Sequence, residues 1–208
     1  MNLFKKKRTP KLAFLISGRG SNMSAVLSAI AAKKLNAEAV CVFSDVKSAG
    51  GLKVAKQNNI PAHSFSPKDF PSREEYESKL ARVISDSGAE WVICAGYMRI
   101  LKKTFIDYFP NRILNIHPSL LPSFPGLRAQ QQAIDYGVTT SGCTIHLVDY
   151  GMDTGPIIMQ SPVPVHADDD ERSLSVRILK AEHETYWQAI QKVTENTFEV
   201  VDRKVVFL

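Results

Sequence analysis

The sequence predicts an α/β protein with a doubly wound, mainly parallel sheet that becomes mixed in its second half. Three observations carry this. Short apolar runs alternate with amphipathic stretches from residue 11 to residue 98, the pattern of strand–helix–strand units with right-handed crossovers. A glycine-containing turn, "SGRGSN" at 17–22, joins the first apolar run to the first amphipathic stretch. Two later strand patterns, 140–149 and 155–165, lie close together across "YGMDT", and that closeness predicts an antiparallel pair.

The elements follow in order. "KLAFLIS" (11–17) reads as a buried strand, and 21–34 as a helix with a serine or asparagine near its N-cap. Residues 37–44 form a second strand, 50–59 a second helix and 60–65 a third strand. The helix expected over 72–88 opens on Ser72 with Glu75 three residues on, a capping box. "EWVICAGYM" (90–98) is apolar throughout, as a strand covered on both faces must be. "RILNIH" (112–117) is a strand stopped by Pro118, followed by a proline-punctuated loop and a short helix around 128–136. The longest helical pattern covers 169–193, and "TFEVVDRKVVFL" reads as a closing hairpin.

The composition excludes several classes. The 208 residues hold 26 Lys+Arg against 21 Asp+Glu, a formal charge of +5. Lys5, Lys6, Lys7, Arg8 and Lys11 account for the whole excess, leaving 21 of each sign beyond them. A basic tail over residues 1–10 on a neutral body is a weak nucleic-acid signal. At 44% hydrophobic and 23% charged the chain is globular. No apolar run approaches the ~18 residues of a membrane span, and Leu12 to Ile16 is too short for a signal-peptide core. Cys41, Cys94 and Cys143 lie far apart in apolar segments, which points to buried free thiols in a reducing, cytoplasmic setting. The five histidines, His63, His117, His146, His166 and His183, form no HxxxH or HxH pair, so no metal site is expected.

Three places can carry chemistry. The "SGRGSN" turn brings glycines and a helix N-terminus together, a setting for a phosphate. Met23 replaces the third glycine of a dinucleotide fingerprint, so a plain strand-to-helix turn remains open. In "NIHPS", Asn115 and His117 lie two apart at a strand end, so both leave one face while Ile116 leaves the other. An amide donor beside an imidazole suits acyl chemistry, one holding an oxyanion and the other moving a proton. A capping asparagine and a surface histidine fit the same spacing. Asp153, in a glycine-flanked link, is either a turn residue or a partner that raises the histidine pKa and sets its tautomer. His146 reads as packed within a strand, Tyr186 and Trp187 as core anchors, and Met23, Met98 and Met159 as packing. The helix face with Glu182 and His183 reads as solvated.

Read together, "FLISGRGSNM", "FPSREEYE", "AGYMRIL", "RILNIHPSLLPSFPGL", "GCTIHLVDYGMDTGPII" and "LKAEHETYW" closely resemble the phosphoribosylglycinamide formyltransferases, folate-dependent enzymes of purine synthesis. The resemblance runs from about residue 11 to 193. It implies a formyltransferase-like fold, a seven-stranded, mainly parallel sheet with a Rossmann-like N-terminal half. The activity implied is formyl transfer from 10-formyltetrahydrofolate, as co-substrate, to the amine of glycinamide ribonucleotide. On this resemblance Gly20, Ser21 and Asn22 hold the substrate phosphate, and Leu179, Lys180, Ala181 and Glu182 lie near the glycinamide. Asn115 stabilises the oxyanion, His117 donates a proton and Asp153 sustains the imidazolium. Folate contacts fall to Arg73, Met98, Arg99, Ile100, Leu101, Asn115, Asp149, Tyr150, Gly151, Met152 and Asp153. One domain is expected over 11–208, with a phosphate-binding half to about 110 and a folate and catalytic half after it. The expected partners are these small molecules, with no nucleic acid and no membrane, acting on a monomer or homodimer.

One departure stands out. After "PSFPGL" the family usually continues with His-Thr-His or a close relative, and this chain has Arg128, Ala129 and Gln130. Arg128 offers a cation there for a phosphate or for the folate glutamate tail. Methionyl-tRNA formyltransferases share the Asn-x-His and Asp core but normally carry a further C-terminal barrel. Formyltetrahydrofolate hydrolases usually carry a regulatory N-terminal domain. Neither addition is expected here. A non-catalytic nucleotide- or folate-binding module would not need Asn115, His117 and Asp153 together.

Overall fold

Alternation along the first strand sets the layers. In the computed structural model, which describes residues 8–208, β1 (Lys11–Ile16) is buried from Leu12 onward. Lys5, Lys6 and Lys7 of the basic tail lie outside the described residues. The chain continues through α1 (Ser21–Ala31), β2 (Glu38–Ser44), α2 (Gly50–Gln57), β3 (Ala62–Ser64), α3 (Arg73–Asp86), β4 (Trp91–Cys94) and α4 (Lys103–Ile106). The second half comprises β5 (Ile113–His117), α5 (Ala129–Tyr136), β6 (Thr140–Leu147), β7 (Ile157–Pro164), α6 (Glu171–Glu195), β8 (Phe198–Val201) and β9 (Lys204–Phe207).

Leu12, Phe14 and Ile16 enter a core with Met23 and Val26 of α1 and Tyr186 and Ile190 of α6. Ala13 and Leu15 enter the opposite core with Tyr76, Leu80 and Ile84 of α3 and Phe105 of α4. Both faces of the sheet are therefore covered, which is why its strands read as unbroken apolar runs. The strand order is β3-β2-β1-β4-β5-β6-β7-β9-β8. Strands β3 through β5 pair in parallel, and β5–β6 and β6–β7 are antiparallel. The doubly wound, mainly parallel sheet is thus present, with the mixed pairing where the sequence places it.

Some local chemistry differs from expectation. The N-cap of α1 is Gly20, in the left-handed region at φ 75°, with no side-chain cap. A Cβ at Gly20 would lie 3.0 Å from Gly51 Cα, so the turn packs too closely for a capping serine or asparagine. At α3 the Ser72 hydroxyl accepts from the Glu75 amide at 3.1 Å, the forward bond of the expected box. The four-residue α4 is too short to show a helical period. Among the described residues the sheet has nine strands where the resemblance implies seven. The closing hairpin adds the other two, with β9 joining β7 through the Ile157–Lys204 pairing. Beyond that pairing, β7 carries Pro162 and Pro164 along its length.

Tyr186 ties the long helix to the centre of the sheet. It is fully buried, and its hydroxyl contacts the carbonyls of Cys94 (2.9 Å) and Leu114 (3.1 Å) at adjacent strands. Tyr186→Phe should destabilise the protein by about 1–2 kcal/mol, read as a lower urea midpoint at unchanged slope. An unchanged midpoint would mean that these contacts carry no net weight.

Candidate active site

Strand β5 lies where the sheet changes direction, parallel to β4 on one side and antiparallel to β6 on the other. Ligands of open α/β sheets bind beyond the strand carboxyl ends, and His117 closes β5 at that end. Asn115 and His117 leave β5 on one face, while Ile116 enters the core on the other. The antiparallel register sets His146 of β6 directly opposite Asn115.

Hydrogen bonds then orient each ring. A backbone carbonyl can only accept, so His117 Nε2 carries the proton in its 2.9 Å bond to the Phe124 oxygen. His117 Nδ1 lies 3.4 Å from Asp153 Oδ2. Asp153 Oδ2 also accepts the Gly126 amide at 2.8 Å, and Asp153 itself is in the left-handed region at φ 55°. By the same reasoning His146 Nδ1 donates to the Leu147 oxygen at 2.8 Å. Burial holds the His146 pKa below its ordinary value, which keeps the ring neutral. Its Nε2 is then a lone pair that accepts from Asn115 Nδ2 at 3.2 Å. One amide proton of Asn115 is spent on this bond, and the other is left for a ligand.

These groups open onto a cavity of about 470 Å³. Its walls are residues 96–101, the 126–128 turn with Gln130, and the link carrying Asp149, Gly151, Met152 and Asp153. Met98, expected as packing, is 67% exposed at this wall. Apart from it, Asn22 Nδ2 donates to Glu182 Oε2 at 2.9 Å, joining the start of α1 to the middle of α6. Both side chains are buried, and Asn22 Oδ1 has no hydrogen-bond partner among the described residues. Burial raises the Glu182 carboxyl to about 7, against a smaller lowering by the Asn22 bond.

The chain matches the family model described as formyl transferase over residues 10–190. The chain belongs to the formyl transferase family. It is 39% identical to the phosphoribosylglycinamide formyltransferase of Escherichia coli (strain K12) over 84% of this chain and 82% of that one. It is 47% identical to a trifunctional purine biosynthetic protein adenosine-3 of Drosophila pseudoobscura pseudoobscura, over 86% of this chain. The chain spans only 13% of that fly protein's length. Among solved structures, glycinamide ribonucleotide transformylase 1 from Symbiobacterium toebii superposes with a TM-score of 0.96 at 40% identity. That match covers 100% of this chain and 98% of the other.

Within this member of the family the expected residues fall into three places. Asn115, His117 and Asp153 converge, and Met98, Arg99, Ile100, Leu101, Asp149, Gly151 and Met152 line the same cavity. Arg73 and Tyr150 stand outside its lining. Arg73 donates to the Ile100 carbonyl and pairs with Glu77 at 3.1 Å, bracing the wall from behind. The Tyr150 hydroxyl donates to Asp107 at 2.8 Å. The segments 20–22 and 179–182 meet each other through Asn22 and Glu182. Glu182 therefore lies in the interior, not on the solvated face its helix pattern suggests. Arg128, 68% exposed, pairs with Glu171 at 3.1 Å, so its cation is already engaged.

Three participants lie outside the sequence expectation. His146 reads as packing from the sequence, because strand register is needed to see it opposite Asn115. Asp45 and Glu77 are buried acids behind the cavity wall. For Asp45 the one signal is its place just past the carboxyl end of β2, at the ligand-binding end of the sheet.

Glu182 makes stability depend on pH. Its folded carboxyl, at about 7, is above the ordinary 4.5, so the folded state binds the extra proton. Stability is then lost as pH rises between those values. Glu182→Gln keeps the Asn22 contact and removes the charge. It should stabilise the protein by roughly 1–3 kcal/mol at about pH 8 and by little below about pH 5. Thermal melts at the two pH values check this, and an equal effect at both would assign the change to packing.

Proposed function

We propose that this chain transfers the formyl group of 10-formyltetrahydrofolate to the amine of glycinamide ribonucleotide. The observation that carries this reading is the convergence of Asn115, His117 and Asp153 on one cavity in a formyl transferase chain. The substrate amine attacks the formyl carbon, and the carbonyl oxygen becomes an oxyanion. The free Asn115 amide proton meets that oxygen. His117 Nε2 turns to it as well, exchanging the neutral Phe124 carbonyl for a charged acceptor and a stronger bond. Asp153 faces Nδ1 and sustains the imidazolium. The bond from the formyl carbon to the folate nitrogen then breaks, while a proton passes from the attacking nitrogen to the leaving one. His117 carries it.

The folate lies along Met98–Leu101 and Asp149–Asp153, and Arg73 holds that wall in place. The phosphate sits at Gly20, Ser21 and Asn22. There α1 begins without a side-chain cap or an acid in its first turn, so its first amides are free for an anion. Glu182 and the unpartnered Asn22 Oδ1 suit a donor-bearing glycinamide, with Leu179, Lys180 and Ala181 beside them. In this reading residues 11–208 act as one unit, phosphate bound by the first half and folate by the second. The protein works in the cytoplasm on small molecules, as a monomer or homodimer, without nucleic acid or membrane.

The test is to supply 10-formyltetrahydrofolate with glycinamide ribonucleotide, with methionyl-tRNA, or with no acceptor, and to follow loss of the formyl group. Loss only with glycinamide ribonucleotide is expected. Loss without an acceptor would replace the reading with hydrolysis, and loss only with tRNA would replace it with an RNA-directed enzyme. Asn115→Ala and His117→Ala should each lower turnover by about 10²–10³-fold or more with melting unchanged. Full turnover in either variant would overturn the assignment.

A further inference from the structure

The wall at residues 96–102 is held from behind by side chains that make no contact with the triad. Ser17 Oγ accepts the Met98 amide at 2.9 Å and donates to Asp45 Oδ1 at 2.6 Å. The other carboxylate oxygen of Asp45 receives Arg99 Nε, also at 2.6 Å. The Asp45 side chain is 4% exposed, so both of its oxygens are spent on this chain of bonds inside the protein. Farther along, Glu77 accepts the Lys102 amide and pairs with Arg73, which in turn donates to the Ile100 carbonyl. A buried carboxylate left without such partners would be costly, so the loop and the acids hold each other in place.

The two anchors differ in what they hold. Glu77 secures the far end of the loop, next to α4. Asp45 secures Met98 and Arg99, two residues that face the cavity, and it does so through a charge on each side of the Arg99 bond. Charge-assisted bonds of this length are stronger and more directional than neutral ones. The backbone of Met98 is thereby referenced to β1 and β2, not to its own exposed loop.

We propose that Asp45 is a positioning residue for folate binding. Acting through Ser17 and Arg99, it sets the cleft wall at Met98–Arg99, so its loss weakens folate affinity and leaves the chemical step intact. This rests on the folate reading of the cavity. An asparagine at position 45 keeps the shape and one acceptor but gives up the charge facing Arg99, so it should have the smaller effect.

The experiment measures tetrahydrofolate and glycinamide ribonucleotide binding separately by calorimetry, with steady-state kinetics alongside, for wild type, Asp45→Asn, Asp45→Ala, Arg99→Ala and the Asp45→Ala/Arg99→Ala double variant. In Asp45→Ala, tetrahydrofolate binding and the folate KM should worsen about 10-fold, with kcat and glycinamide ribonucleotide binding within about twofold of wild type. The loss in the double variant should fall short of the sum of the two single losses, because the two residues share one bond, and a fully additive loss would count against the coupling. Asp45→Asn, isosteric with the native residue, carries the test if Asp45→Ala does not fold, with a smaller loss confined to folate. Unchanged folate binding, or equal losses for both ligands, would overturn the role of Asp45 and leave the proposed reaction standing. Failure of the wild-type protein to bind tetrahydrofolate would overturn both.

Discussion

Asp153 Oδ2 accepts the Gly126 amide at 2.8 Å and lies 3.4 Å from His117 Nδ1, and three chain segments meet at that oxygen. One is the end of β5, one is the proline-punctuated loop after it, and one is the link between β6 and β7. Each of these is irregular backbone or a strand end, with no ladder of its own to hold it against the others. A single carboxylate that satisfies a backbone donor and an imidazole supplies that restraint. It also explains why Asp153 adopts φ 55°, a region that L-residues seldom occupy without surrounding structure to hold them.

The same logic recurs around the cavity. Asp45, Glu77 and Glu182 are acids taken out of water, and each is matched to donors from another part of the chain. Asp45 and Glu77 each gain an arginine and a further donor. Among the described residues Glu182 gains the Asn22 amide alone, and burial raises its pKa. The least compensated acid lies where the proposed substrate brings its own donors. Folding alone would favour a neutral residue there, so the charge makes sense through the ligand.

Periodicity made the sheet and its helices legible, because burial on both faces writes continuous apolar strands and helical spacing into the chain. Asn115 and His117 could be placed on one face because a strand alternates sides residue by residue. The other buried groups of the site could not be read in the same way. His146 enters through strand register, Asp153 through the conformation of a link, and Glu182 through the packing of α1 against α6. All three are long-range facts that local pattern does not encode. The motif order supplied Asp153 and Glu182 as family positions, but it left His146 as packing and gave no hint of Asp45 behind the wall. Cap chemistry misled at α1, where close approach to Gly51 overrode the ordinary preference for serine or asparagine.

The closing hairpin shares one ladder pairing with the main sheet, Ile157 with Lys204, and β7 beside it carries Pro162 and Pro164. Proline has no amide to offer, so the part of β7 beyond that pairing is a poor template for another strand. An open rim invites edge-to-edge association, and proteins blunt such rims with proline, charge and short strands. Here β8 and β9 are four residues each, with Arg203 and Lys204 at their turn. The rim of the sheet farthest from β3 is thereby a poor template for a neighbour's strand, so the sheet ends there by chemistry and not by length.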